Sequence, residues 1–290
     1  MKLKIKRAAK DFSPDMLPQT RKAVFFDVLK LHWQKLLLLG LILLLFAIPL
    51  ILNMMTNDVY LSNYFAALEE SGRQNDADAV YAPVYRDLFT YALNIPLLML
   101  FSVGLSGVLR VLRQYAWEEN VHIPTDFVRG IRDNAKQLLG VAFLTGLIVL
   151  LCRIVLYTSA SYASETVSML SLLPIGLSVF LFLPLGALCL VLIPIYSNPL
   201  RGHLKNALYL YSHAPLRVAG SLLASFLPWA VTLLPNFYCG LFGSIAALLL
   251  LPLSLLGWKL SSYDLLDRLI NTEHYPELVG RGLSHPDKTS

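Results

Sequence analysis

Hydrophobic positions in this chain fall into long runs without a charge, separated by charged segments. The runs have the length of helices that cross a bilayer, which need about 20 predominantly apolar residues. Leu36 to Asn57 has no charge and follows Trp33 and Lys35, an interfacial aromatic and a basic anchor. Leu88 to Leu109 lies between Asp87 and Arg110, and Gln137 to Tyr157 carries only Arg153, near its end, where a guanidinium snorkels to the headgroups. Thr166 to Leu200 exceeds one span and is punctuated by Pro174, Pro184 and Pro194, which predicts one kinked helix over about 172–196. Val218 to Trp258 holds two spans, with a reversal at Pro235, Asn236 and Gly240. The pattern predicts an all-α integral membrane protein with six transmembrane helices, at about 36–57, 88–110, 137–157, 172–196, 218–234 and 241–258.

Two further segments are amphipathic at helical spacing. Over 24–34, Phe25, Val28, Leu29 and His32 or Trp33 oppose Asp27, Lys30 and Gln34, which predicts a helix in the membrane interface before the chain turns into the first span. Over 60–72, Tyr60, Tyr64, Phe65 and Leu68 share a face and Gly72 is placed as a C-cap. This second helix sits in an acidic outer segment, 58–87, and is expected to rest on the membrane surface or over the bundle mouth. Arg129-Gly130-x-x-x-Asn134-Ala135 recurs as Arg201-Gly202-x-x-x-Asn206-Ala207. Either a two-helix unit is repeated, or similar interfaces select similar residues.

Charge then sets the topology. Of the 24 Lys and Arg, 21 fall in the alternate segments 1–35, 110–136, 197–217 and 259–290. Cytoplasmic loops retain Lys and Arg while translocated loops lose them, so both termini are expected in the cytoplasm of a cell-membrane protein. The layout is a basic tail with an interfacial helix (1–34), a transmembrane domain (35–258) with the outer insertion 58–87, and a cytoplasmic tail (259–290). Composition agrees: 56% of residues are hydrophobic and 15% charged, with mean hydropathy +0.58. The net charge of +5 therefore points to anionic inner-leaflet lipids and not to nucleic acid. Nothing near the start reads as a cleavable signal peptide.

Candidate chemistry is sparse. The predicted spans hold no Asp, Glu, His or Lys at mid-depth, and Asn94, Thr145 and scattered serines are their polar groups. That argues against proton relays, ion-coupled sites and intramembrane hydrolysis. Asn94 reads as a hydrogen-bonding link between helices, with a broken-helix binding site beside Pro96 as the alternative. Small pairs (Ser102/Ser106, Ala142/Gly146, Gly243/Ala247) read as close helix packing. Cys152, Cys189 and Cys239 read as small buried hydrophobes, and the six histidines lack metal-ligand spacing, so no cofactor or metal is expected. Asp76, Asp78, Glu69 and Glu70 read as a solvated acidic face, with a Ca²⁺ site as the alternative. The candidate surface for a partner or for lipid is basic: Arg110, Arg113, Trp117, Phe127, Arg129, Arg132, Lys136, Arg201, Lys205 and Arg217. By position the loop 110–136 could dock as a permease coupling helix does, although the E-A-A…G pattern of importer permeases is missing.

The stretches FFDVLKLHWQKLLLLGLILLLFAIPLIL, NIPLLMLFSVGLSGVLRVLRQYAWEENVHIPTDFVRGIRDNAKQ and NPLRGHLKNALYLYSHAPLR resemble the YesL-like family of polytopic membrane proteins of Gram-positive bacteria. The resemblance rests on Gly104, Gly107, Arg110 and Arg113 at a span end, followed by Asp126, Phe127, Arg132, Asn134, Lys136 and Gln137. It implies no catalytic residues, and an association with carbohydrate uptake. The resulting expectation is a non-enzymatic accessory or assembly factor of a membrane transport complex. A permease or channel-like transporter and an anionic-lipid-binding envelope protein are the alternatives.

Overall fold

A computed structural model describes residues 18–72, 79, 81–160, 164–227 and 237–284, and among them all regular structure is helical. In chain order these are α1 (Arg21–Glu70), α2 (Tyr81–Ala116), α3 (Ile123–Ala160), α4 (Glu165–Ser171), α5 (Leu173–Leu177), a π-helical turn (Ser178–Phe182), α6 (Leu183–Leu192), α7 (Leu200–His213), α8 (Pro215–Phe226) and α9 (Phe237–Leu266). A second π turn (Asp267–Asn271), α10 (Thr272–His274) and a short 3₁₀ turn close the chain. Five stretches are long and apolar enough to cross a membrane: Arg21–Glu70, Tyr81–Ala116, Ile123–Ala160, Glu165–Leu192 and Phe242–His274. The remaining predicted span, 218–234, is entered by α8, and its residues 228–234 lie outside the described residues.

The helices run well past the predicted span ends. At 1.5 Å per residue α2 and α3 are each about 55 Å long, against roughly 30 Å of hydrocarbon. The charges at the span ends do not break a helix, since Arg, Lys and Glu are good helix formers. The interfacial helix, the first span and the outer helix are one element, α1, bent at His32 (φ −131°, ψ 16°). His32 stacks on Tyr115 at 4.9 Å there. Thr20 caps its start by accepting from the Ala23 N–H, and Gly72 (φ +66°) follows its end. The outer helix thus continues the span instead of resting apart from it. Ca²⁺ candidates Asp76 and Asp78 lie outside the described residues.

Proline chemistry shapes the fourth span. Pro184 has no N–H to offer the carbonyl of Phe180, four residues back. The helix widens to a π turn at that point, with the Leu183 N–H bonded to Ser178 O, and the Tyr211 hydroxyl from α7 donates to Phe180 O at 2.8 Å. The missing bond is replaced, and α7 is pinned beside α6.

Glycines set the closest approaches. A Cβ on Gly40 would lie 2.3 Å from Leu249 O, so α1 and α9 meet backbone to backbone. Gly130 packs on Gly107 and Ser106, and the Phe127 ring fills the notch at Gly107. Around these contacts Leu39, Leu43, Leu109, Leu112, Leu138, Leu188, Leu192, Leu255 and Leu256 are fully buried. Ser102, Ser106, Ala142, Gly146, Gly243 and Ala247 are buried as well, as close packing requires. Cys189 is buried and Cys152 half-buried, while the Cys239 side chain is outside the described residues. The Ser284 N–H donates to Pro18 O at 3.1 Å, so the chain enters and leaves the bundle at the same end.

Gly40→Val should lower stability by about 1–3 kcal/mol or more, because the atom it meets is backbone. Thermal unfolding of the detergent-purified protein reads this. Gly186→Ala, with open space around it, should leave the midpoint unchanged or raise it.

Candidate functional site

At the end where Pro18 meets Ser284, the predicted basic surface divides into two sets. The first is engaged in pairs and packing within the fold. Arg110 pairs with Asp133 at 2.6 Å, and Arg217 with Asp264 at 3.2 Å. Arg113 donates to Pro194 O at 2.6 Å and lies over the Trp117 ring at 4.7 Å. Arg281 covers the same ring at 4.3 Å and pairs with Glu119 at 2.7 Å, so Trp117 contacts two guanidiniums. Phe127 is consumed in packing at Gly107. The second set, Arg129, Arg132, Lys136, Arg201 and Lys205, is exposed, and these residues have no ion-pair partner among the described residues.

The turn that presents Trp117 follows from the end of α2. The Glu119 N–H bonds to Gln114 O and the Glu118 N–H to Tyr115 O, with Glu118 left-handed (φ 53°). This is the pattern in which helices commonly end on a glycine. Here a glutamate takes that place, and the chain reverses into α3 with His122 N–H capped by the Asp126 carboxylate at 2.8 Å.

The C-terminal segment up to Ser284 packs onto this end of the bundle. Arg21 is 7% exposed and pairs with Asp267 at 3.0 Å, while donating to Arg281 O at 2.6 Å. Gly282 (φ +83°) passes so near Ala116 O that a Cβ would lie 2.5 Å from it. Tyr196 donates to Asn271 Oδ1 at 2.5 Å. Lys259 is completely buried, with Nζ donating to Leu109 O at 2.6 Å.

The opposite end carries a network that joins three helices. Asp87 on α2 is 1% exposed and accepts from Asn57 Nδ2 on α1 at 2.9 Å, and from Arg153 Nε at 2.5 Å and Tyr157 Oη at 2.8 Å on α3. Thr90 donates to Asn57 Oδ1, and Asn53 donates to Asn94 Oδ1 at 2.7 Å. Arg153 also lies over the Tyr91 and Tyr157 rings. One expectation is corrected here. Arg153 does not snorkel outward but turns into the bundle toward a buried acid. Asp87 and Lys259, each one residue outside a predicted span, are buried in the bundle as well. Asn94 acts as the interhelical link that its sequence context suggests, and α2 runs unbroken past Pro96.

No group of three or more His, Cys, Asp or Glu able to hold a metal ion occurs among the described residues. His203 on α7 is fully buried with neither ring nitrogen hydrogen-bonded, and burial lowers its pKa from 6.5.

The two repeat copies sit in different settings. Gly130 is pressed against Gly107, whereas a Cβ on Gly202 would meet only its own turn at 3.4 Å or more. The first copy leads into a 38-residue helix and the second into one of 14.

Regular structure among the described residues is all helical, and five of the helical stretches are long and apolar enough to cross a membrane. No family model, no curated protein and no solved structure matches the chain.

Two outcomes follow. Asp87→Ala should leave Arg153 without its acid and destabilise by about 2 kcal/mol or more, the partly exposed Arg153 holding the loss below that of a fully buried pair. Asp87→Ala combined with Arg153→Leu should recover part of the lost melting temperature. Stability should also fall as pH drops below about 6.5. In that window the unfolded chain protonates His203 while the folded one keeps it neutral, and the loss is complete once pH is below the folded value. Denaturant titrations from pH 7.5 to 5 should show this slope, and His203→Phe should flatten it.

Proposed function

We propose that this chain is a non-enzymatic membrane protein that assists the assembly or working of a solute-uptake system, with carbohydrate as the solute class that the family resemblance implies. The observation that carries the reading is the use of the bundle's interior polar groups. Asn53, Asn57, Asp87, Thr90, Asn94, Arg153 and Tyr157 bond to one another across α1, α2 and α3. Lys259, Trp258 and Arg113 are spent on the carbonyls of Leu109, Ala187 and Pro194. A conduit needs polar groups facing an aqueous path, and here they hold helices together. A face for recognition is present outside, on the exposed first turns of α3 with Val128, Arg129 and Arg132. An α-helical face mixing cations with an apolar side chain suits docking to another membrane protein's acidic surface.

Affinity purification from native membranes in gentle detergent, followed by mass spectrometry, should recover a transport permease or ATPase in constant ratio to this chain. Arg129→Glu with Arg132→Glu should lose it while leaving the yield of the chain unchanged. Recovery as a solitary monomer, or solute uptake by vesicles reconstituted with this chain alone, would defeat the proposal.

A further inference from the structure

The least explained element is α7, and its two faces are sharply different. His203, Ala207, Leu210 and Tyr211 form its buried stripe. The other face exposes Arg201, Lys205, Leu208 and Tyr209, and the helix contains no acidic residue. Leu216 follows at the start of α8, 87% exposed. A cationic face carrying bulky apolar and aromatic side chains, with no acid, has the composition of a helix lying in a lipid interface. Its place in the fold agrees. Gln137 Nε2 donates to Asn198 O at 2.6 Å, and Leu200 covers Gly140 on α3. This anchors the start of α7 against α3 one residue from the exposed Lys136, where the apolar part of that helix begins.

Acids of the neighbouring helices have partners of their own. Asp133 is paired with Arg110, Asp264 with Arg217, and Asp126 caps the start of α3. Lys136, Arg201 and Lys205 are three exposed cations with no ion-pair partner among the described residues. We infer that the exposed face of α7, with Lys136 across the seam, is a docking face for anionic phospholipid. The three cations would hold the phosphodiester while Leu208, Tyr209 and Leu216 enter the acyl boundary. The inference rests on α7 and its seam and is independent of the uptake reading.

The full chain, delipidated in detergent, is titrated with phosphatidylglycerol and with phosphatidylcholine, and retained lipid is counted by native mass spectrometry. The wild type should retain phosphatidylglycerol preferentially. Lys136→Gln, Arg201→Gln and Lys205→Gln together should reduce that preference about tenfold or more, near-surface cations each contributing several-fold. The charge-preserving set Lys136→Arg, Arg201→Lys and Lys205→Arg should keep it. Arg217→Gln, which also removes one positive charge but from an ion pair, should keep it too. The melting temperature of each variant separates lost binding from lost fold, and because all three side chains are exposed it should not move. Equal retention of the two lipids by the wild type, or an undiminished preference in the triple Gln variant, overturns the inference. So does displacement of phosphatidylglycerol by millimolar inorganic phosphate, which would make this a site for free phosphate.

Discussion

Asp87 constrains how the first three helices can be arranged. A carboxylate 1% exposed cannot stand unpaired in an apolar bundle, since an uncompensated buried charge costs several kcal/mol. Asn57, Arg153 and Tyr157 supply its hydrogen bonds from two other helices, and that fixes both the register and the rotation of α1 and α3 about α2. Thr90 and Asn94, one and two turns further along α2, extend the same seam to Asn57 and Asn53. A one-turn slip of any helix would break several of these bonds together. In hydrocarbon no water is present to replace them.

The other end is held by a different device, donors laid onto helix carbonyls. Arg113, Lys259, Trp258 and Arg21 each donate to a backbone oxygen on another segment, and Tyr211 does so at Phe180. At Phe180 the donor replaces a bond that Pro184 cannot make, while at Leu109 and Ala187 it adds a second bond to a carbonyl inside a helix and ties that helix to α9. The consequence for function is direct. Much of the basic excess at this end is structural, and only part of it faces outward.

Helix class, the bend before the first span and most span positions were legible because they depend on local composition and period. The reach of the helices was not, because a charged residue marks the edge of hydrocarbon without marking the end of a helix. Asp87 and Arg153 are 66 residues apart, and nothing local to either tells a pair from two snorkelling charges. The reversal after Trp117 was hidden because Glu118 occupies a left-handed position that usually advertises itself as glycine. The role of the C-terminal segment was equally hidden, since Arg21 meets Asp267 and Arg281 across more than 240 residues. Of the candidate surface, the lack of an ion-pair partner separated Arg129, Arg132, Lys136, Arg201 and Lys205 from Arg110, Arg113 and Arg217, which bond to Asp133, Pro194 O and Asp264.

The recurrence of Arg-Gly-x-x-x-Asn-Ala shows what a local match does and does not carry. Gly130 is required by the contact with Gly107, while Gly202 has room for a side chain. Asn134 is buried in the first copy, and Ala207 is the fully buried position in the second. The feature both copies share in space is the arginine, exposed on the outer face of a helix near its start. An arginine there faces the same physical demand in both places, a charged position beside an apolar helix at the membrane boundary. Similar boundaries are sufficient to select it, and the differing surroundings of the two glycines favour that origin over a duplicated packing unit.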